Sequence, residues 1–256
     1  MSGLTGLLGA DCIALDVPAA TWEEAVLAAG QLLERAGIAG PAYTGSMIDN
    51  VLTNGPYIVV APGFAFAHAR PSEAVHRTGM SWVRLDQPVA FGHSTNDPVG
   101  LVVALAAIDD GAHAAAMAEL AKVVGSPAKR SALDAATGPA EVLAILGGAA
   151  TGNQAATPVG HTSNLILTVC GNGLGTSLFL KNTLEQVLST WGWGSYITVE
   201  ATDTISAKGR AKEADLIMTS GEIAKTLGDV GIPVKVIENF TSNREVDAAL
   251  RDSYDV

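Results

Sequence analysis

Cysteine is scarce, with only two in 256 residues. Two thiols in a chain of this size do not build a disulfide framework, so a reducing cytoplasm is the expected compartment. Basic residues are also few: 15 Lys and Arg stand against 26 Asp and Glu, for a formal net charge of -11. That balance argues against nucleic acid or an anionic membrane surface as partner and suits docking onto a basic protein patch. No basic stretch precedes Leu7-Leu8, so the start does not read as a signal peptide. The longest apolar run, around Val99 to Ile108, is too short to span a bilayer. No two potential ligands have the close spacing of a zinc pair on one element, so no metal is expected. No other cofactor is expected either.

What is present is an alternation of strand-like and helix-like segments in two blocks. In the first, Thr21 and Glu24 form a capping box ahead of an apolar stripe that Gly37 ends, which predicts a helix over 21–36. A short helix over 47–52 and strands over 57–61, 79–85 and 99–108 follow. Helices are then expected over 113–124, 128–135 and 139–146. The 17 residues from Gly147 to Ser163 contain no Asp, Glu, Lys or Arg. They read as a flexible linker with a reach of roughly 20–25 Å. Beyond it, strands near 165–169, 196–199, 216–218 and 234–237 alternate with helices, as in a small doubly wound parallel sheet. The domains are expected at 1–147 and 164–256, with 148–163 as the linker. Neither half is basic: 7 basic residues face 14 acidic ones through Gly148, and 8 face 12 beyond it.

The second block opens on a strand, Leu165 to Val169, then Cys170-Gly171-Asn172-Gly173-Leu174-Gly175-Thr176-Ser177, then a helix. Glycines let successive N–H groups curl into an anion-binding nest, and a helix N-terminus adds its positive end. A cysteine there is expected to favour its thiolate and to act as a nucleophile. The loop is not of the Walker type, because Gly175 rather than Lys precedes Thr176. Nor is it the dinucleotide fingerprint, since Thr176 stands where the third glycine belongs. A Cys-x5-Arg phosphatase needs Arg where Thr176 is, so a phosphoryl carrier fits better than a phosphatase. A buried structural cysteine beside a glycine-rich turn is the plain alternative. In a doubly wound sheet the site lies beyond the carboxyl ends of the strands, which is where Cys170 stands.

Five histidines complete the inventory. His68 follows a strand and a glycine turn, with Arg70 two residues on. His113 opens a helix after a buried strand. Both could face one anion site, a neutral imidazole attacking phosphorus and the other groups neutralising its oxygens. Histidines at unrelated spacing are more often solvated or structural. His93 reads as a turn residue, His76 as a surface one, and His161 lies in the linker. Cys12 is expected to be packed.

Pro62 to Pro71, with Asn96-Asp97-Pro98-Val99 and Asp109 to His113, resembles the enzyme IIA component of the bacterial phosphoenolpyruvate-dependent sugar phosphotransferase system, in the ascorbate-type branch of the mannitol/fructose superfamily. Ile166 to Ser177 resembles the ascorbate-type enzyme IIB component, of the ascorbate/lactose-type phosphocysteine group. The two resemblances cover nearly the whole chain apart from the linker. They imply an α/β chain of two domains: a layered IIA-like domain with a mixed sheet and a IIB-like domain with a four-stranded parallel sheet. They also imply a relay in which a phosphocarrier protein donates to His68, His113 assists, and Cys170 accepts. Arg70, Gly171, Asn172, Gly173, Leu174, Gly175, Thr176 and Ser177 would hold the phosphoryl group. A separate membrane permease, enzyme IIC, would take it onward to a sugar, with ascorbate or a related sugar acid or pentitol as the implied cargo. Peripheral association with that permease follows from the same likeness, and transfer between the two chains of a homodimer would gain from proximity as transfer within one chain does. A regulatory phosphoprotein without a transport role is the alternative. One departure is that the family often has Pro-His-Gly around the acceptor, whereas this chain has Ala67-His68-Ala69.

Overall fold

A computed structural model describes residues 4–147, 164–170 and 176–254. The first block runs β1 (Ile13–Val17), α1 (Trp22–Arg35), α2 (Pro41–Asn54), β2 (Val59–Ala61), β3 (Phe64–His68), β4 (Gly79–Val89), β5 (Val99–Ala106), α3 (Asp110–Val124), α4 (Pro127–Ala135) and α5 (Pro139–Gly147). Its five strands form a mixed sheet ordered β1-β4-β5-β3-β2. β1 runs parallel to β4 and β3 parallel to β5, while β4–β5 and β2–β3 are antiparallel. All five residues of β3 are buried, as are seven of the eight in β5. This accounts for their near-continuous apolar sequence, since strands covered on both faces lose the usual alternation.

The second block runs β6 (Leu165–Cys170), α6 (Ser177–Thr190), β7 (Thr198–Asp203), α7 (Thr204–Arg210), β8 (Leu216–Thr219), α8 (Gly221–Leu227), β9 (Val234–Val236) and α9 (Asn243–Tyr254). Its four strands are all parallel, ordered β7-β6-β8-β9. The α/β class, the mixed first sheet and the small parallel second sheet are as the sequence led one to expect.

Three details differ. α2 begins at Pro41, well before the expected 47, because Gly40 serves as an extended N-cap and Pro41 fills a first-turn position that needs no N–H. β1 was not anticipated; it is a short edge strand whose apolar pattern is broken by the exposed Asp16. The segment from Phe64 to His68 is a strand in its own right, folded back on β2 by Gly63, whose φ of 69° is in the left-handed region that favours glycine. The charge-free segment read as a linker lies outside the described residues.

The two sheets share a buried apolar contact. Phe179 of α6 packs against Phe64 and Phe66 of β3 with ring centroids 6.1 and 5.8 Å apart. Burying one such ring contributes on the order of 2 kcal/mol. Polar bonds flank it: Phe240 N–H donates to Val60 O at 3.1 Å, and Asn96 Nδ2 donates to Val59 O at 3.2 Å and Glu238 O at 2.9 Å. Asn96 is itself held by a turn in which the Asp97 carboxylate accepts from the N–H groups of Phe91, Gly92 and His93.

Candidate phosphoryl-transfer site

His68 is the last residue of β3 and is only 2% exposed. Its backbone is pinned at the end of the sheet. Asn50 Nδ2 of α2 donates to His68 O at 3.3 Å. The next residue, Ala69, is gripped by Tyr43, whose hydroxyl accepts from Ala69 N at 3.0 Å and lies 2.9 Å from Ala69 O and 2.7 Å from Leu105 O. The imidazole stacks on Phe66, centroids 5.2 Å apart, and meets Tyr57 edge-on at 5.9 Å. Its Nδ1 lies 3.2 Å from Phe66 O. A carbonyl can only accept, so Nδ1 carries the proton and Nε2 keeps the lone pair. Nε2 is buried and has no hydrogen-bond partner among the described residues.

His113 enters from the first turn of α3, whose N-cap Asp109 accepts from Ala112 N at 2.8 Å. Its ring centroid lies 5.5 Å from that of His68. The two histidines that the sequence left at unrelated spacing are thus brought together, as the strand-end argument required. Burial, reinforced by His113, lowers the His68 pKa to about 3, so the ring is neutral at neutral pH.

This depression has a consequence for stability. Between about pH 6.5 and 3 the unfolded chain binds a proton at position 68 that the folded chain does not, so stability falls as pH drops through that window. Its share is roughly 3 kcal/mol by pH 4. Denaturant midpoints at pH 7 and pH 4 are expected to differ less in His68→Gln than in wild type; equal differences would contradict the assignment.

Cys170 ends β6, in register with Asp203 of β7, and is 1% exposed. Three hydroxyls fix this strand end: Thr204 donates to Cys170 O at 2.9 Å, Thr219 to Val169 O at 2.7 Å, and Thr168 to Ser177 O at 3.0 Å. The Sγ lies 3.4 Å from Ser177 Oγ. Burial pushes the Cys170 thiol up, and hydrogen bonds from the side chains and backbone of Ser177 and Thr176 oppose the push without cancelling it. The expectation of a favoured thiolate is therefore corrected: helix-end N–H groups do reach the sulfur, but desolvation outweighs them. Of the eight-residue loop, Cys170, Thr176 and Ser177 are placed as expected. Gly171, Asn172, Gly173, Leu174 and Gly175 lie outside the described residues.

Arg70 is exposed. Burial raises the Asp203 pKa, but the N–H and hydroxyl of Ser206, the N–H of Ile205 and the charge of Arg70 together hold it below the usual carboxylate range. Arg70, two residues past the end of β3, thus acts on the strand end beside Cys170. Tyr57, too, feels both centres: its ring touches His68, and its phenol is pushed up by burial and then by Cys170. His68 and Cys170 therefore belong to one neighbourhood, linked through Phe66, Phe179 and the α6 N-terminus.

The sequence profile described as "Phosphoenolpyruvate-dependent sugar phosphotransferase system, EIIA 2" matches residues 6–148, more than half of the chain. The chain belongs to that family. A second profile, "PTS system, Lactose/Cellobiose specific IIB subunit", matches residues 165–252, so an EIIA 2 module and a IIB module are fused in one chain. The chain is similar to the ascorbate-specific phosphotransferase EIIA component of Escherichia coli K12, 44% identical over 101 residues, covering 40% of this chain and 66% of that protein. The chain thus spans just under two thirds of the length of this curated relative. A putative IIA domain from Streptococcus pyogenes M1 GAS superposes with a TM-score of 0.52 at 30% identity, covering 57% of this chain and 97% of that one. In an Escherichia coli complex of enzyme IIAMTL with phosphorylated enzyme IIBMTL, the matching chain gives 0.50 at 28% identity, covering 56% of this chain and all of that one.

Within the EIIA 2 module, sequence reasoning found both histidines but missed Tyr43, Asn50 and Tyr57. These lie outside the motif around His68 and meet it only through the fold. In the IIB module it missed Thr204 and Thr219, which come from neighbouring strand ends. Cys12 is buried and His76 exposed, as expected. Among the described residues no group of three or more metal-ligating side chains occurs, and no helix is long and apolar enough to cross a membrane.

Proposed function

We propose that this chain is a phosphoryl relay of the phosphoenolpyruvate-dependent sugar phosphotransferase system. A phosphocarrier protein bearing phosphohistidine donates to His68 Nε2, Cys170 Sγ accepts from His68, and a sugar taken up through a separate membrane permease accepts from Cys170. The domains of the relay are 1–147 and 164–256, joined by the tether 148–163. It works in the cytoplasm, against the permease. The similarity to ascorbate-specific EIIA components favours ascorbate or a related sugar acid or pentitol as cargo.

The observation that carries this reading is the meeting of the two strand ends. A neutral imidazole with an open Nε2 and a cysteine at a helix N-terminus flank one aromatic contact, both nearly sealed from solvent. In the transfer, the Cys170 thiolate attacks phosphorus, the S–P bond forms, the N–P bond breaks, and its electron pair returns to Nε2. Nδ1 keeps its proton on Phe66 O, so the departing imidazole is neutral; the thiol proton leaves beforehand to solvent. His113 and Arg70 offset charge on the phosphoryl oxygens, and Thr176 and Ser177 receive them on the far side. Exclusion of water protects the phosphoryl group from hydrolysis and strengthens these contacts. Because His68 is buried in this arrangement, loading it requires the site to open.

The tether keeps donor and acceptor at an effective concentration on the order of millimolar. A folded chain nicked once within 148–163 and diluted to micromolar levels is expected to pass its phosphoryl group from His68 to Cys170 on the order of a hundredfold more slowly than the intact chain. Equal rates by rapid quench would contradict the tethered relay.

A further inference from the structure

The Tyr57 hydroxyl has no assigned task. The side chain is 4% exposed, and its Oη is buried with no hydrogen-bond partner among the described residues. Phenylalanine would fill the same space without a stranded donor, whose burial is a net cost to folding. The ring stands edge-on to His68 at 5.9 Å, and His68 Nε2 is itself unpartnered, so the two polar atoms do not bond each other. A donor and an acceptor, each buried without a hydrogen-bond partner among the described residues, thus sit on neighbouring rings. Cys170 adds to the upward push on the phenol, which places the thiol within electrostatic reach of Tyr57 as well. A phenol so held keeps its proton and has it available to donate.

Transfer of a phosphoryl group needs donors on its equatorial oxygens that are already in place when charge develops. We propose that Tyr57 Oη is a phosphoryl-binding group of this site, donating a hydrogen bond to an oxygen of the phosphoryl group as it passes from His68 Nε2 to Cys170 Sγ. This rests on the relay reading above. The phenol takes no part in bond making: the S–P bond forms, the N–P bond breaks, and the Tyr57 proton stays on Oη. A position that faces both centres accounts for a buried hydroxyl with no hydrogen-bond partner among the described residues.

The test is a single-turnover experiment on the full chain, with Tyr57→Phe beside wild type. Each is loaded at His68 by a phosphorylated phosphocarrier protein, and phosphocysteine is followed by rapid quench. The expected result is a fall of about 10- to 100-fold in the His68-to-Cys170 rate. The thermal midpoint should be unchanged or slightly higher, since no folded-state bond is lost. The phosphorus NMR shift of phospho-His68, measured in Cys170→Ser to hold it there, should also move in the Phe variant. An unchanged rate and shift would overturn the proposal. So would a rate loss matched by a fall in the thermal midpoint with no change in shift, which is the mark of a packing role. If wild type itself forms no phosphocysteine, the relay fails and this inference with it; if wild type transfers and Tyr57→Phe matches it, only the inference fails.

Discussion

His68→Ala is expected to take up no phosphoryl group at either centre. Incubated with phosphoenolpyruvate, enzyme I and the phosphocarrier protein, it should keep its unmodified intact mass, where wild type gains up to two phosphoryl groups. The effect is total because His68 is the single entry point of the proposed relay. Its Nε2 is the open lone pair, its Nδ1 being committed to Phe66 O. Cys170 offers no second entry in this relay, since it takes its phosphoryl group from His68 and burial raises the pKa of its thiol. The substitution also removes an aromatic neighbour of Phe66, Tyr57 and His113. His68→Gln should therefore be run beside it, to keep volume and polarity while deleting the nucleophile. Incorporation in both variants at the wild-type level would show that another residue receives the phosphoryl group.

Cys170→Ser should stop the relay half-way. One phosphoryl group is expected, held at His68, and delivery to sugar in vesicles bearing the permease should fall to background. A serine hydroxyl fits the space beside Ser177 and Thr202 O. A hydroxyl is far harder to ionise than a thiol and far less nucleophilic, so the acceptor is lost with little change in packing. The loss should exceed several hundredfold, the scale of removing a covalent nucleophile. Two groups on Cys170→Ser would assign the second site elsewhere. A single group on wild type, unchanged in the variant, would leave His68 as an end point and support a regulatory phosphoprotein.

How much of this was readable in the sequence follows from where each signal resides. The Cys170 loop was legible because strand, glycines and helix start are contiguous, so one stretch carries the whole local geometry. The parallel order of the second sheet followed from strict alternation, which leaves few topologies. Pairing of His68 with His113 was weaker: 45 positions separate them along the chain, and only the β3–β5 register, with His68 opposite Leu105, brings the start of α3 beside His68. Tyr43, Asn50 and Tyr57 carried no signal, being ordinary residues of a helix and the approach to a short strand. The Cys170 pKa was misjudged because sequence shows the helix end that stabilises a thiolate but not the desolvation that opposes it. Asn96 was noted only as part of a resemblance; its amide bridging Val59 O and Glu238 O is a fact of docking that no local pattern encodes.

The central claim is an order of events: phosphorus reaches His68 first and leaves it for Cys170. Rapid quench after mixing the dephosphorylated full chain with stoichiometric labelled phosphocarrier protein tests it most directly, because acid-labile phosphohistidine and the more acid-stable phosphocysteine can be followed separately in one time course. The account predicts label at His68 that rises, then falls as label at Cys170 rises, with no phosphocysteine in His68→Gln. Label at Cys170 without a preceding His68 signal, or in the absence of that histidine, would contradict it.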